Sequence, residues 1–295
     1  MIDGIPAQAG STQDVPLLSQ RDGAVTARVD RVVVEEPLEI RLRAAGETRR
    51  IAVTMRTPGA DLELAAGFVL GEGIVPDRDA IRSIRHCEDR ELEPEERGNV
   101  VTVDVRARLE AGKLLERHFT ISSACGVCGS AGIALLRARG YAPLQADARI
   151  DGALLGSLPE RMRPRQTVFA ATSGLHAAAL FALDGRLLAL REDVGRHNAV
   201  DKIVGWLALR GRADPARTAL VVSGRCGYEI AQKAVAARIP IVASVSAPSS
   251  LAIALANAFG LTLAGFVRDG RWNAYAGAER IAGGVTRFPA PTATA

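Results

Sequence analysis

The chain is poor in the residues that would make it disulfide-stapled, base-stacking or membrane-spanning. Four cysteines among 295 residues are too few for a disulfide framework, so a cysteine with a special role is a reactive thiol or a metal ligand. Aromatic residues make up 4% of the chain, which leaves little to stack on nucleobases. Lysine occurs only at Lys113, Lys202 and Lys233, so 34 of the 37 basic residues are arginines, spread along the chain. The net charge of +4 therefore reads as a composition bias, and no nucleic-acid partner is expected. The longest apolar run, Ser250 to Phe266, is broken by Asn257 and Gly260 and reads as a helix followed by a strand. That is too short to span a bilayer. Met1 to Gly10 lacks the basic start and apolar centre of an export signal. The expectation is a cytoplasmic protein with reduced thiols and no membrane partner.

What is present is ordinary for a soluble protein: 48% hydrophobic and 24% charged residues, at a length that buries a sizeable core. Residues 1–23 are small and polar without period, and are expected to be a flexible tail. Residues 24–120 read as a small α+β domain. Strands fall near 25–34, 39–42 and 50–55, a Thr57-Pro58-Gly59 turn follows, and Asp61 opens a helix ending at Gly71 and Gly73. Further strands are expected at 81–87 and 99–105. Residues 121–295 change rhythm, with short apolar strands alternating with helices. A hairpin turning on Asp184-Gly185 precedes helices at 198–209, 227–237 and 249–259, interleaved with strands at 219–223, 241–245 and 261–267. Such a pattern implies a sheet buried on both faces, hence a three-layer α/β domain. Leu158 to Gln166 is a Pro- and Arg-rich stretch with no element assigned.

The strongest local feature is Cys125-Gly126-Val127-Cys128-Gly129-Ser130, a Cys-x-x-Cys pair at a helix start with glycine on both sides. Unpaired helix N–H groups favour thiolate there, and glycine leaves room for a large partner. A zinc reading stands beside the reactive-thiol one. His86-Cys87-Glu88 followed by Cys125 and Cys128 matches the H-x-E and C-x-x-C of zinc deaminases, although Ala124 stands where their proline falls.

A second cluster, Arg191 to Lys202, crowds Asp193, Arg196, His197 and Asn198 between a strand end and a helix start. That is the usual ligand position in open α/β sheets. Two small-residue loops add anion-holding backbone: Thr172-Ser173-Gly174-Leu175-His176, and Ser223-Gly224-Arg225-Cys226-Gly227 between a strand and a helix. Phe266-Val267-Arg268-Asp269-Gly270-Arg271 ends the last long strand with two arginines around a turn, a fork chemistry suited to diphosphate.

Taken together, CGVCG at 125–129, TSGLH at 172–176, REDVGRHNAVDK at 191–202, SGRCGYE at 223–229 and GFVRDGRWNAY at 265–275 resemble the FdhD family. These are accessory sulfurtransferases of formate dehydrogenase, and the likeness runs from about residue 25 to the C-terminus. The resemblance implies a small N-terminal domain joined to a cytidine-deaminase-like α/β domain, in a homodimer. It implies that sulfur is taken from a cysteine desulfurase and passed to the molybdenum or tungsten bis-guanine-dinucleotide pterin cofactor before insertion into formate dehydrogenase. GDP would mimic part of that cofactor, and no tightly bound metal of the protein's own is expected. Carried over by motif, Cys125 matches the persulfide cysteine, with Cys128 as relay or resolving thiol, and Phe266 to Arg271 match the cofactor-binding stretch. The other candidate cofactor contacts are Ser173, Gly174, His176, Asp193, Arg196, His197, Asn198, Ser223, Gly224 and Arg225.

Overall fold

The structure, a computed structural model, describes residues 10–87, 98–106, 129–144, 147–211 and 213–283. They form a mixed α/β protein of fourteen strands and seven α-helices, and divide into two compact units.

The first unit comprises Met1–Gly126, Pro164–Ala178 and Leu190–Arg210. It opens on an antiparallel ribbon of β1 (Thr12–Arg21) and β2 (Ala24–Val33). Within the stretch expected to be a flexible tail, Thr12–Arg21 is thus a ten-residue strand. Its signal was the Asp22-Gly23 pair, whose φ angles of 48° and 82° are those of a tight hairpin turn. The ribbon register places Pro16 opposite Val29 and Leu18 opposite Ala27, so one face is apolar, yet Leu18 is 75% exposed. Arg31 ties the strands by donating to both Asp14 carboxylate oxygens at 2.7 and 3.1 Å. That guanidinium lowers the Asp14 pKa.

A four-stranded sheet follows in the order β4 (Glu47–Arg56), β3 (Glu36–Ala44), β6 (Val100–Val105), β5 (Ile81–His86). Its inward positions, Leu38, Ile40, Leu42, Val101 and Val103, pack with Leu64 and Val69 of α1 (Asp61–Gly71) into one core. Helix α1 crosses α5 (Arg196–Arg210) with no room for side chains at the crossing. A Cβ on Gly67 would overlap the Asp201 carbonyl, and one on Gly205 would overlap that of Glu63. Arg191 closes the same contact, donating to both Glu63 oxygens at 2.6 and 2.9 Å.

The second unit comprises Val127–Arg163, Ala179–Ala189 and Gly211–Ala295. The expected cut near residue 120 follows chain order, whereas the units interleave. Because α1 packs on α5, residues 190–210 group with the N-terminal sheet. Strands β8 (His176–Ala182) and β9 (Leu187–Asp193), the expected hairpin, each run from one unit into the other. They belong to a six-stranded sheet in the order β13-β12-β11-β10-β8-β9. Strands β10 (Thr218–Val222), β11 (Ile241–Ser244) and β12 (Thr262–Arg268) are parallel, joined by α6 (Tyr228–Ala236) and α7 (Ser250–Phe259). Every residue of β10 and β11 is buried, as expected for strands covered on both faces. β13 (Arg271–Ala276) turns back antiparallel to β12.

Two helices of the described residues were not expected. α3 (Gly152–Met162) begins under an Asp151 cap, whose carboxylate accepts from Leu154 N at 2.8 Å. It buries Leu155, Leu158 and Met162 on one side and accommodates Pro159 in its last turns. The short α4 (Thr167–Thr172) follows. No helix among the described residues is long and apolar enough to cross a membrane.

Candidate functional site

In the first unit, the motif from Arg191 to Lys202 covers the end of β9 and the start of α5. Most of its charge is spent internally. Asp193 and Lys202 are each 0% exposed and pair at 2.6 Å. The Lys202 ammonium also donates to the carbonyls of Thr57 (2.9 Å) and Glu192 (3.3 Å). Asp193 accepts from Gly195 N at 2.8 Å and from the Asn198 amide at 3.0 Å. Asn198 donates in turn to the Met55 carbonyl at 2.7 Å, and its own oxygen accepts from the Thr54 hydroxyl. The Thr57-Pro58-Gly59 turn is therefore the far wall of this network. Beside it the buried Arg56 binds Asp61 through two nitrogens and reaches Asn99 at 2.7 Å. Asp193 and Asn198, expected among the cofactor contacts, use these polar groups to brace the turn from β9 into α5.

Glu192 points the other way. Its carboxylate accepts from Val168 N (3.1 Å) and Phe169 N (2.8 Å), capping α4. Burial pushes this carboxyl up from its ordinary 4.5, against the pull of those N–H groups and of Lys202. α4 thus delivers the 172–176 loop, in which Ser173 takes a left-handed φ of 54°. Ser173 and Gly174 are exposed and His176 half-buried. Burial, then the nearby Arg196 and His197, lower the His176 pKa from 6.5, with Asp193 opposing them. Of the motif, Arg196 is exposed, while His197 is half-buried with its Nε2 shielded from solvent. The exposed Arg196 guanidinium lies near His176 and supplies the cationic fork that an anion needs.

In the second unit, three segments at the ends of β10, β11 and β12 are laced together through their backbones. Cys226 N donates to Ala247 O, Ser249 N to Cys226 O, and Phe266 N to Ser246 O, at 3.0–3.3 Å. The Ser244 hydroxyl lies 2.7 Å from Gly224 O and 2.9 Å from Ser246 O, donating its proton between them. Cys226 is part of this frame. Burial pushes its thiol up to about 12, so it is protonated and unreactive at neutral pH. Arg225 is exposed beside it, with Ser223 and Gly224 half-buried, and Gly227 leaves the start of α6 without a side-chain cap. The segment 266–271 alternates: Val267 is in the core while Phe266, Arg268, Asp269, Gly270 and Arg271 are exposed. Phe266 holds a left-handed φ of 52° where β12 bulges. For a bulky residue that backbone is costly and marks a shaped surface.

Cys125 and Cys128 lie outside the described residues, as does Glu88. α2 (Gly129–Ala138) starts at the residue after Cys128, in agreement with the helix expected there. A Cβ on Gly132 in that helix would come 2.8 Å from the Tyr228 hydroxyl, so α2 rests directly on the first residue of α6.

Sequence reasoning took the Thr57-Pro58-Gly59 turn as punctuation only, and assigned no role to Arg56, Asn99 or α3. The signal for the role of that turn was a charge-rich motif with more polar groups than one ligand surface needs.

The fold and these strand-end loops place the protein among the FdhD/NarQ family. The model of that family matches residues 33–282, and the chain belongs to it. Among individual relatives, it is 48% identical over 265 residues to the "Sulfur carrier protein FdhD" of Streptomyces avermitilis, covering 89% of this chain and 93% of the relative. The protein of the same name from Anaeromyxobacter dehalogenans is 46% identical over 287 residues, covering 93% and 95%. A crystal structure of a protein from Desulfotalea psychrophila, described as a formate dehydrogenase accessory protein, superposes with a TM-score of 0.70 at 28% identity. It covers 92% of this chain and 99% of that one.

Proposed function

We propose that this protein is a sulfur carrier required for formate dehydrogenase activity. It accepts sulfur from a cysteine desulfurase as a persulfide on Cys125 and delivers it to the molybdenum or tungsten bis-guanine-dinucleotide pterin cofactor before that cofactor enters formate dehydrogenase. The observation that carries this reading is the identity of nearly half the residues with sulfur carrier proteins, over most of both chains.

The chemistry balances. The Cys125 thiolate attacks the outer sulfur of the donor persulfide, the donor S–S bond breaks, and the desulfurase cysteine leaves as thiolate. Delivery takes one of two routes: Cys128 relays the outer sulfur, or its thiolate attacks the Cys125 sulfur and expels hydrosulfide. In the second route the persulfide S–S bond breaks, and oxidation of the Cys128 thiolate to the Cys125–Cys128 disulfide supplies the two electrons that reduce the outer sulfur to hydrosulfide. The cofactor is the substrate here, and its guanine dinucleotides carry pyrophosphates that need cationic and N–H donors. Support for such binding comes from the exposed Arg225, Arg268 and Arg271 of the second unit, and from Arg196, His197 and His176 of the first. The same reading makes the α/β part a three-layer, cytidine-deaminase-like layer stack and the assembly a cytoplasmic homodimer.

The test is mass spectrometry after incubation with a cysteine desulfurase and cysteine. One added sulfur, about 32 Da, is expected on the peptide holding residues 125–128. It should be absent in Cys125→Ala, which should also fail to support formate oxidation in cells. An unmodified peptide, or normal formate oxidation with Cys125→Ala, refutes the persulfide role.

A further inference from the structure

The 266–271 turn does not stand alone. Helix α3 lies against it along a stripe of three residues spaced by four, one face of a helix. At Gly152 the backbone carbonyl accepts from the Trp272 indole N–H at 2.8 Å, and a Cβ would meet the same ring at 3.1 Å. At Gly156 a Cβ would fall 2.5 Å from the Gly270 carbonyl carbon, so only glycine allows the turn to seat on the helix. At Glu160 the carboxylate accepts from Asp269 N at 2.8 Å.

Asp269 and Gly270 both have left-handed φ, 51° and 71°, which makes a two-residue hairpin turn between Arg268 and Arg271. The turn would form by itself, but its direction would not be set. Glu160, although exposed, is an anionic acceptor aimed at the Asp269 amide at the tip. The Asp269 side chain is thereby left to pair with Arg271, at 3.2 Å.

We infer that Glu160, on the Gly152-Gly156-Glu160 stripe of α3, is a positioning residue that sets the orientation of the Arg268–Arg271 turn toward its anionic substrate. This rests on the nucleotide-binding reading of that turn. Glu160 touches no substrate in this role. It holds the turn, and the two arginines inherit its aim.

The test uses the full-length chain, GDP as probe, and Glu160→Ala beside Glu160→Gln, which keeps an oxygen acceptor. A charge-assisted hydrogen bond to one amide is worth about tenfold in an equilibrium. Glu160→Ala should weaken GDP binding by up to about that factor while its Tm stays close to that of the unmodified chain. Glu160→Gln should recover most of the loss. Amide hydrogen exchange at Asp269 should quicken in the alanine variant and slow again in the glutamine variant. Equal GDP affinity in the unmodified chain and Glu160→Ala, or unchanged exchange at Asp269, overturns the positioning role alone. Failure of the unmodified chain to bind GDP overturns the nucleotide reading and this role with it, and so separates the two.

Discussion

Two charged segments sit at strand ends and read alike in the sequence, yet the structure uses them in opposite ways. Residues 191–202 carry Arg191, Glu192, Asp193, Arg196, Asp201 and Lys202, and the ion pair at their centre is fully buried. Residues 266–271 carry Arg268, Asp269 and Arg271, all exposed. Their one ion pair, Arg271 with Asp269, has side chains 74% and 69% exposed. The first segment is a clasp closed by Thr57 and Asn198. The second is an open fork held from behind by Glu160. A dense charged motif is thus not by itself a ligand surface, because buried charges must be paired before anything is left for a ligand.

The comparison breaks most sharply at Lys202. Lys202→Ala strands the Asp193 carboxylate and should cost about 3–5 kcal/mol of stability, read as a drop in the urea midpoint. An unchanged midpoint would mean the clasp is not closed. A smaller effect is expected at His176, whose folded pKa lies below 6.5. As pH falls through 6.5 the unfolded chain takes up the proton first, so stability should decline below that pH and be unaffected above it. His176→Gln should flatten this part of the pH–stability curve, and an identical slope in both proteins would remove the cause assigned to it. The smallest effect belongs to the open fork. Arg271→Ala should leave stability within about 0.5 kcal/mol while weakening GDP binding. A large loss of stability there would make the fork another structural pair.

The α/β core was readable because its signals are local. β10 and β11 are short apolar runs, and α7 has a Ser249 cap at one end and Gly260 in left-handed backbone at the other. One strand of the ribbon, β2, was expected near 25–34; its partner β1 was missed because it buries little, and only the Asp22-Gly23 turn announced it. Helix α3 was missed because Pro159 and the arginines after it argue against a helix, while the packing that stabilises it comes from residues far away in sequence. Gly152 meets Ile281 and Trp272, and Gly156 meets Gly270. The candidate residues were readable as types. Their division into clasp and fork was not, since Thr54, Met55 and Thr57 lie 143 to 145 residues from the motif side chains they bond.

From the sequence alone came the alternating strands and helices from residue 176 onward, the loops at their ends and, through its motifs, the family to which the chain belongs. Turn chemistry, caps and apolar period act between neighbouring residues, so they need no knowledge of the folded whole. Only the tertiary structure decided which charged groups are consumed as internal braces and which face outward. That choice depends on desolvation and on partners that folding alone brings within hydrogen-bond reach.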